Sequence, residues 1–346
     1  MDDYQHSPVG EGFFLPGEWE PHARTWMQWP TRSAAWHDRM PSAYAQMAEI
    51  ARTIAEFEPV SILVRPEDEP QAKFACGRHG NIEFVALAVD DCWARDTAPL
   101  YVTNGRGVIG GIAWQFNGWG NRVHGYAHDA ALAGRLLAKQ KLKCFQSDMV
   151  LEGGAVSTDG YGTLLVTEDC VLGEDRNPEL SRGEIEERLA LFLGARKIIW
   201  LGGGLAADAA GGHVSKVAVF SGSGTVLAAR ASDEKSFDRL TLEDNEVNLA
   251  KAKDASGQLL QVTAVPLPKA RWKGLAGEDL ALSYLDYCVL NGAVLVPAFG
   301  DEMDDIAASI IAEALPGRKL VQVDVSVIML GGGALRRLTQ FEPALP

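Results

Sequence analysis

The sequence predicts an α/β protein. Three observations carry this. Short apolar runs such as VSILV at 60–64 and KIIWL at 197–201 read as strands. Longer segments of helical periodicity lie between them. Neither class is segregated to one half of the chain, so strands and helices alternate along it.

The elements follow in order. Ser42 to Phe57 carries apolar residues at helical spacing and leads into the run at 60–64. His128 to Lys139 reads as a second helix. Ser181 and Glu184 have the spacing of a capping box, which places a helix N-terminus there. That helix carries Ile185, Leu189 and Phe192 on one face and stops at Gly194. Asp304 to Gly317 contains a further helix. KLVQVDVSVIML then reads as one or two strands.

Composition bounds the function classes. Of 346 residues, 47% are apolar and 23% charged, which suits a globular chain and excludes collagen, coiled coil and disorder. Lys and Arg number 32 against 46 Asp and Glu, a net charge of −14. Nucleic acid is therefore not an expected partner, since phosphate binding is driven by basic residues. The start, MDDYQHSPVG, lacks the apolar core of a signal peptide, and no apolar run approaches the 18 or more residues of a membrane span. Five dispersed cysteines, with no C-x-x-C pair, fit free thiols in a reducing cytoplasm. No cofactor is expected. A small-molecule ligand is, and self-association is left open.

Polar or Gly-rich loops recur near Trp26–Pro30, Asp90–Pro99, Leu151–Gly160, Asp208–Ser215 and Gly331–Thr339. The first four lie about 60 residues apart and the last about twice that. Repeated units of roughly 60–70 residues arranged in a ring would bring such loops to one centre. Four loops hold candidate chemistry: Asp96 in WARD, Glu152 in LEGG, His213 in GGHVSK, and Arg336 with Arg337 after the triple glycine 331–333. Each also has a plain structural reading, as an ion pair, a turn cap, a buried histidine or a solvated basic turn. Two glycine-rich stretches, 198–208 and 328–335, hint at strand, loop and helix but lack G-x-G-x-x-G spacing. His124 and His128 stand four apart without a third ligand, so no metal site is expected.

Taken together, the motifs resemble the agmatine deiminase family, bacterial peptidyl-arginine deiminases included. They run in order over nearly the whole chain: LPGEWEPHARTWMQWP (15–30), DDCWARDTAPL (90–100), WQFNGWGN (114–121), MVLEGGAVSTDGYGTLLVTEDCVL (149–172), RNPELSR (176–182), GGHV (211–214), SYLDYCVLNGAVLVPAFGD (283–301) and LGGGALRRLTQ (330–340). The resemblance implies a pentein fold, a single domain of five pseudo-symmetric ββαβ units in a ring with the site at its centre. It implies hydrolysis of a guanidinium, with carboxylates holding the planar group, a thiolate attacking its carbon and a histidine moving protons. Asp96 and Glu152 match the carboxylates and His213 the general acid/base. Trp93, Asn117 and Trp119 match pocket positions.

This chain departs from the family pattern at the pocket. The resemblance puts the nucleophilic Cys at 337 and a His at 336, where arginines stand. Ser215 stands at a family Asp, the stretch from Asp208 to Gly212 has few acids, and Asp286-Tyr287-Cys288 replaces an Asn-Phe-Tyr-type run. An arginine stays protonated and offers no lone pair for attack. Cys92 would share a face with Asp96 if residues 92–96 were extended, which makes it a candidate substitute thiol. Two readings stay open. One is an enzyme of altered chemistry or substrate, with His213 and Glu152 as acid and base and Ser215, Arg336 and Arg337 receiving an anionic group. The other is a non-catalytic relative. A sharper expectation concerns Arg337, whose guanidinium could itself lie on Asp96 or Glu152 and fill the pocket.

Overall fold

The computed structural model describes residues 6–345. The acidic start read above at residues 1–5 lies outside the described residues. Among the described residues sixteen strands form five small sheets, and the sheets repeat one topology. The second sheet comprises β4 (Leu100–Thr103), β5 (Ile109–Gln115) and β6 (Lys143–Val150). Its first pair is antiparallel, and the helix Leu132–Gln140 carries the chain to a parallel third strand. The third sheet, β7 (Ser157–Thr158), β8 (Thr163–Thr167) and β9 (Lys197–Leu201), repeats this through the helix Arg182–Leu193. The fourth, β10 (Ala218–Gly222), β11 (Thr225–Arg230) and β12 (Gln261–Pro266), does so through Arg239–Lys251. The fifth, β13 (Cys288–Leu290), β14 (Ala293–Ala298) and β15 (Lys319–Asp324), does so through Asp304–Ala314.

The first sheet is built from both ends of the chain. β1 (His22–Gln28) pairs in parallel with β2 (Val60–Val64), and β2 with β3 (Ile82–Ala86). The antiparallel partner of β1 is β16 (Gln340–Pro343), the last strand. That pairing closes the ring, and the connection from β15 to β16 is the fifth between neighbouring sheets. This is the pentein architecture.

Local signals act as expected at several points. Ser181 Oγ accepts from the Glu184 amide while the Glu184 carboxylate accepts from the Ser181 amide, and Gly194 ends the helix at φ 77°. Ile185 and Leu189 are fully buried on its inner face. The helix Met40–Ala55 packs Ala43, Met47, Ile50 and Ile54 inward. Other readings change. Residues 26–28 belong to β1 rather than to a loop. His128 sits in a separate turn, Ala127–Ala130, before the helix at 132. Of 319–330, only Lys319–Asp324 is strand, followed by a 3₁₀ turn at Ile328–Gly331.

The loop rhythm is explained by the units. Residues 90–99, 151–156, 202–217 and 325–339 are the connections from one sheet to the next. The apparent double spacing before 331 hides a further connection, which carries Ser283 to Tyr287. Among the described residues no helix is long and apolar enough to cross a membrane.

Candidate functional site

Each inter-sheet connection delivers at least one charged side chain to a buried cluster: Asp96, Glu152, His213, Asp286 and Arg337 among them. Two glycines show why the sequence is so restricted there. A Cβ at Gly153 would lie 2.2 Å from the Arg95 carbonyl oxygen, and one at Gly154 2.4 Å from His213 Nδ1. The LEGG turn is therefore a close crossing of three connections, which a side chain would force apart.

Asp96 sits in a single helical turn, Ala94–Thr97. Its Oδ2 accepts from Trp119 Nε1 at 2.9 Å and from Arg337 Nε at 2.8 Å. Its Oδ1 accepts from the Gly154 amide at 3.2 Å and lies 3.9 Å from His213 Nδ1. Glu152 Oε1 accepts from Arg176 Nε at 2.9 Å, and Glu152 Oε2 faces His213 Nε2 at 3.5 Å. That last approach is an ion pair without hydrogen-bond geometry, and both atoms lack a hydrogen-bond partner. Asp208 holds the histidine backbone: its Oδ2 accepts from the His213 amide at 2.8 Å and the Gly212 amide at 3.1 Å.

Arg337 lies between two indoles. Its Cζ is 4.8 Å from the Trp93 ring centroid and 4.7 Å from that of Trp119. Nη1 donates to the Gly332 carbonyl at 3.2 Å. Trp119 adopts φ 56°, ψ 48°, a left-handed conformation that is strained for a bulky residue. Asn117 stabilises that turn, its Oδ1 accepting from the Gly120 amide and its Nδ2 donating to the Asp175 carbonyl. Asn117 therefore shapes the pocket from behind. The triple glycine has a steric cause too: a Cβ at Gly331 would meet Trp36 and Trp93, and one at Gly333 would meet Trp93 and the Arg337 chain. Asp286 fixes the last turn, accepting from the Ala334 and Arg337 amides, while its carbonyl accepts from the Arg336 amide.

Asp96, Glu152, Asp208 and Asp286 face Arg337, Arg176, Lys216 and His213, and Asp175 adds a second carboxylate on Arg176 at 3.1 Å. Burial opposes the charged imidazole, but the Asp96 carboxylate, with Cys170 and Glu152 beside the ring, raises His213 to about 10. Burial pushes the Asp96 carboxyl up, and Arg337 and His213 more than offset this, so it lies below its ordinary value. For Arg337, burial acts downward and Asp96 and Asp208 prevail, so it is held charged.

Several expectations are corrected by this geometry. Arg336 and Arg337 do not face open space that could receive an anion. Arg337 is on Asp96, and Arg336 Nη2 donates to Glu18 at 2.6 Å, next to the Arg95–Glu18 pair at 3.0 Å. Ser215 is buried in the turn Val214–Lys216 and makes no hydrogen bond to Asp96, Glu152 or Arg337 among the described residues. Residues 94–97 are helical, so Cys92 does not share an extended face with Asp96. Its thiol is fully buried, and burial and Asp91 push it well above the ordinary range, away from thiolate character. The stretch after β9 runs into a loop and a 3₁₀ turn, without the helix of a nucleotide cradle. His124 and His128 are exposed on the surface.

Residues 14–343 match the family of Porphyromonas-type peptidyl-arginine deiminases. The chain belongs to that family. It is 36% identical over 365 aligned positions to the agmatine deiminase of Stutzerimonas stutzeri, covering 99% of both chains. It is 34% identical to that of Pseudomonas aeruginosa, again over 99% of both. The solved agmatine deiminase of Enterococcus faecalis superposes with a TM-score of 0.93 at 31% identity, covering 97% of both chains. Within this deiminase-family ring, sequence reasoning overlooked four residues. Arg176 orients Glu152, Cys170 abuts His213, Lys216 neutralises Asp208 and Asp286, and Glu18 serves Arg336. Arg176 was within reach, since it opens the RNPELSR motif.

Outside the cluster, beyond Asp208, Ala209 and Gly332, lies an open cleft of about 620 Å³. Phe237, Arg271 and Trp272 line its outer part.

Proposed function

We propose that this chain is a deiminase-family protein that does not hydrolyse free guanidines, because its own Arg337 fills the guanidinium site. One observation carries the reading. The Arg337 guanidinium lies on Asp96 at 2.8 Å and between the Trp93 and Trp119 rings. A carboxylate beneath a pair of aromatic faces is the recognition chemistry a planar cation needs. A substrate guanidinium would have to displace an internal one. Releasing Arg337 leaves a buried, uncompensated carboxylate, which costs roughly 3–5 kcal/mol, a factor of about 10²–10³ or more in apparent affinity.

The relatives' names point instead to ordinary deimination. That reaction needs a thiolate at the guanidinium carbon. The resemblance assigns this to position 337, and a guanidinium has no electron pair to give there. The role that remains is binding through the cleft rather than turnover.

A second reading is favoured by a different observation. Glu152 Oε2 and His213 Nε2 face each other without a hydrogen bond and could act on a ligand of another class. With His213 raised to about 10, the imidazole would serve as an acid and not as a base at neutral pH.

The test is release of ammonia from agmatine, arginine and arginyl peptides by the full chain. None above the protein-free background is expected. Turnover near about 10 per second, the usual enzyme median, on any of them would overturn the proposal.

A further inference from the structure

The turn that follows β8 brings a third donor to Glu152 and His213. Cys170 lies in Glu168–Val171 and is 1% exposed. One carboxylate oxygen of Glu152, the Cys170 Sγ and one imidazole nitrogen of His213 all lie within 4.8 Å of one another. Two of these side chains carry buried atoms with no hydrogen-bond partner, Glu152 Oε2 and His213 Nε2. Buried polar atoms normally find one.

We infer that Glu152, Cys170 and His213 form a three-ligand site for a divalent cation of the zinc class. The spacing fits. Zinc bonds of about 2.0–2.3 Å in tetrahedral arrangement separate neighbouring ligand atoms by roughly 3.3–3.8 Å. The two unpartnered atoms stand 3.5 Å apart. The donor set of one sulfur, one nitrogen and one oxygen suits zinc, cobalt or a similar ion and disfavours magnesium and calcium, which take oxygen.

The surroundings orient each ligand. Arg176 Nε donates to Glu152 Oε1 at 2.9 Å, which leaves Oε2 turned to the imidazole. Asp96 Oδ1 lies 3.9 Å from His213 Nδ1, on the side of the ring away from Glu152. Carboxylate, imidazole and metal in series is the usual arrangement around a ligating histidine. Uptake conserves charge. One dication enters as the Cys170 thiol and the His213 imidazolium each release a proton, so the buried net charge is unchanged. The site is independent of whether Arg337 blocks guanidines, since Arg337 contributes no ligand to it.

Cobalt(II) is the probe, added to the full chain after chelator treatment and removal. One equivalent should produce a near-ultraviolet thiolate-to-cobalt charge-transfer band, together with strong tetrahedral visible bands. Zinc should abolish both by competition. Cys170→Ser should lose the charge-transfer band, and His213→Gln should weaken cobalt binding at least about tenfold. Circular dichroism checks that each variant is folded. Arg337→Ala opens the buried centre and is titrated in parallel, so slow entry is not mistaken for lack of affinity. Absence of a one-equivalent thiolate band in both wild type and Arg337→Ala overturns the inference. So does a band that persists in Cys170→Ser, which would place another cysteine on the metal. If Cys170→Ser does not fold, His213→Gln decides the matter: cobalt binding and a charge-transfer band as strong as wild type there would overturn the inference.

Discussion

Arg337→Ala is the most informative single change, because it should both destabilise the protein and create a binding site. In the native protein Arg337 neutralises Asp96 in a buried setting and fills the space between two indoles. Truncation leaves Asp96 with Trp119 Nε1, the Gly154 amide and a distant His213. Breaking a buried pair from one side costs about 3–5 kcal/mol. Loss of the cation from desolvated aromatic faces belongs to the same event and is not added to it. For a chain of this size the melting temperature should fall by about 4–7 °C. The cavity left behind has the shape of a guanidinium and, in Asp96, the charge that complements one. Agmatine or methylguanidine at a hundred times its dissociation constant should then restore about 2.7 kcal/mol to the variant. Neither should move the wild type. Arg337→Lys keeps the charge but loses the planar fork, and should fall between the two. The measurement is thermal unfolding at fixed pH with each ligand titrated. A variant as stable as wild type, or a wild type that gains as much from agmatine as the variant does, would refute the self-occupied pocket.

Trp119→Phe keeps the ring but removes the bond to Asp96, and should cost about 1.5–3 kcal/mol by denaturant unfolding, as loss of a charged hydrogen bond does. Asp286→Ala frees the Ala334 and Arg337 amides and should destabilise by about 1–3 kcal/mol while weakening the Arg337 lock, read as a new agmatine-dependent rise in melting temperature. Gly154→Ala places a Cβ against His213 Nδ1, and should disturb the histidine's proton NMR signal more than any change at exposed Gly257. Acid stability should depend on Glu58. Burial raises its carboxyl, but His22, Thr25 and the Asn291 amide more than compensate and leave it below its ordinary value. Its contribution is therefore present above an ordinary carboxylate pKa of about 4 and is lost as pH falls through the lower folded value. Glu58→Gln should flatten that acid limb of the stability curve.

Much of this site was legible because it lies on connections, where a Gly-rich or polar break stands out between apolar runs. Asp96, Glu152, His213 and Arg337 could each be singled out in that way, and the ring explains why they meet. The missing connection was hidden by its composition. Residues 281–290 read as ALSYLDYCVL, an apolar run with one acid, so Asp286 gave no loop signal. Trp119 could be placed at the pocket by resemblance, but its left-handed backbone depends on Asn117 and Asp175, which meet only in the folded chain. The direction of the two arginines was equally silent. Adjacent residues on a helical turn diverge, and which of them takes Asp96 or Glu18 is set by where Asp286 anchors the turn.

The pairing of β1 with β16 gives the ring a clasp made from its two ends. Thr25 lies beside Phe341 and Trp26 beside Gln340, although more than three hundred positions separate them along the chain. On the ribosome the first sheet must wait, one edge bare, until the final strand has been synthesised. Arg337, three residues ahead of that strand, reaches Asp96 at about the same moment. Central cluster and clasp are thus completed together and late, and loss of residues 337–343 should undo both. Conversely, a cut in the backbone at a distant surface turn such as 255–257 should leave its centre undisturbed.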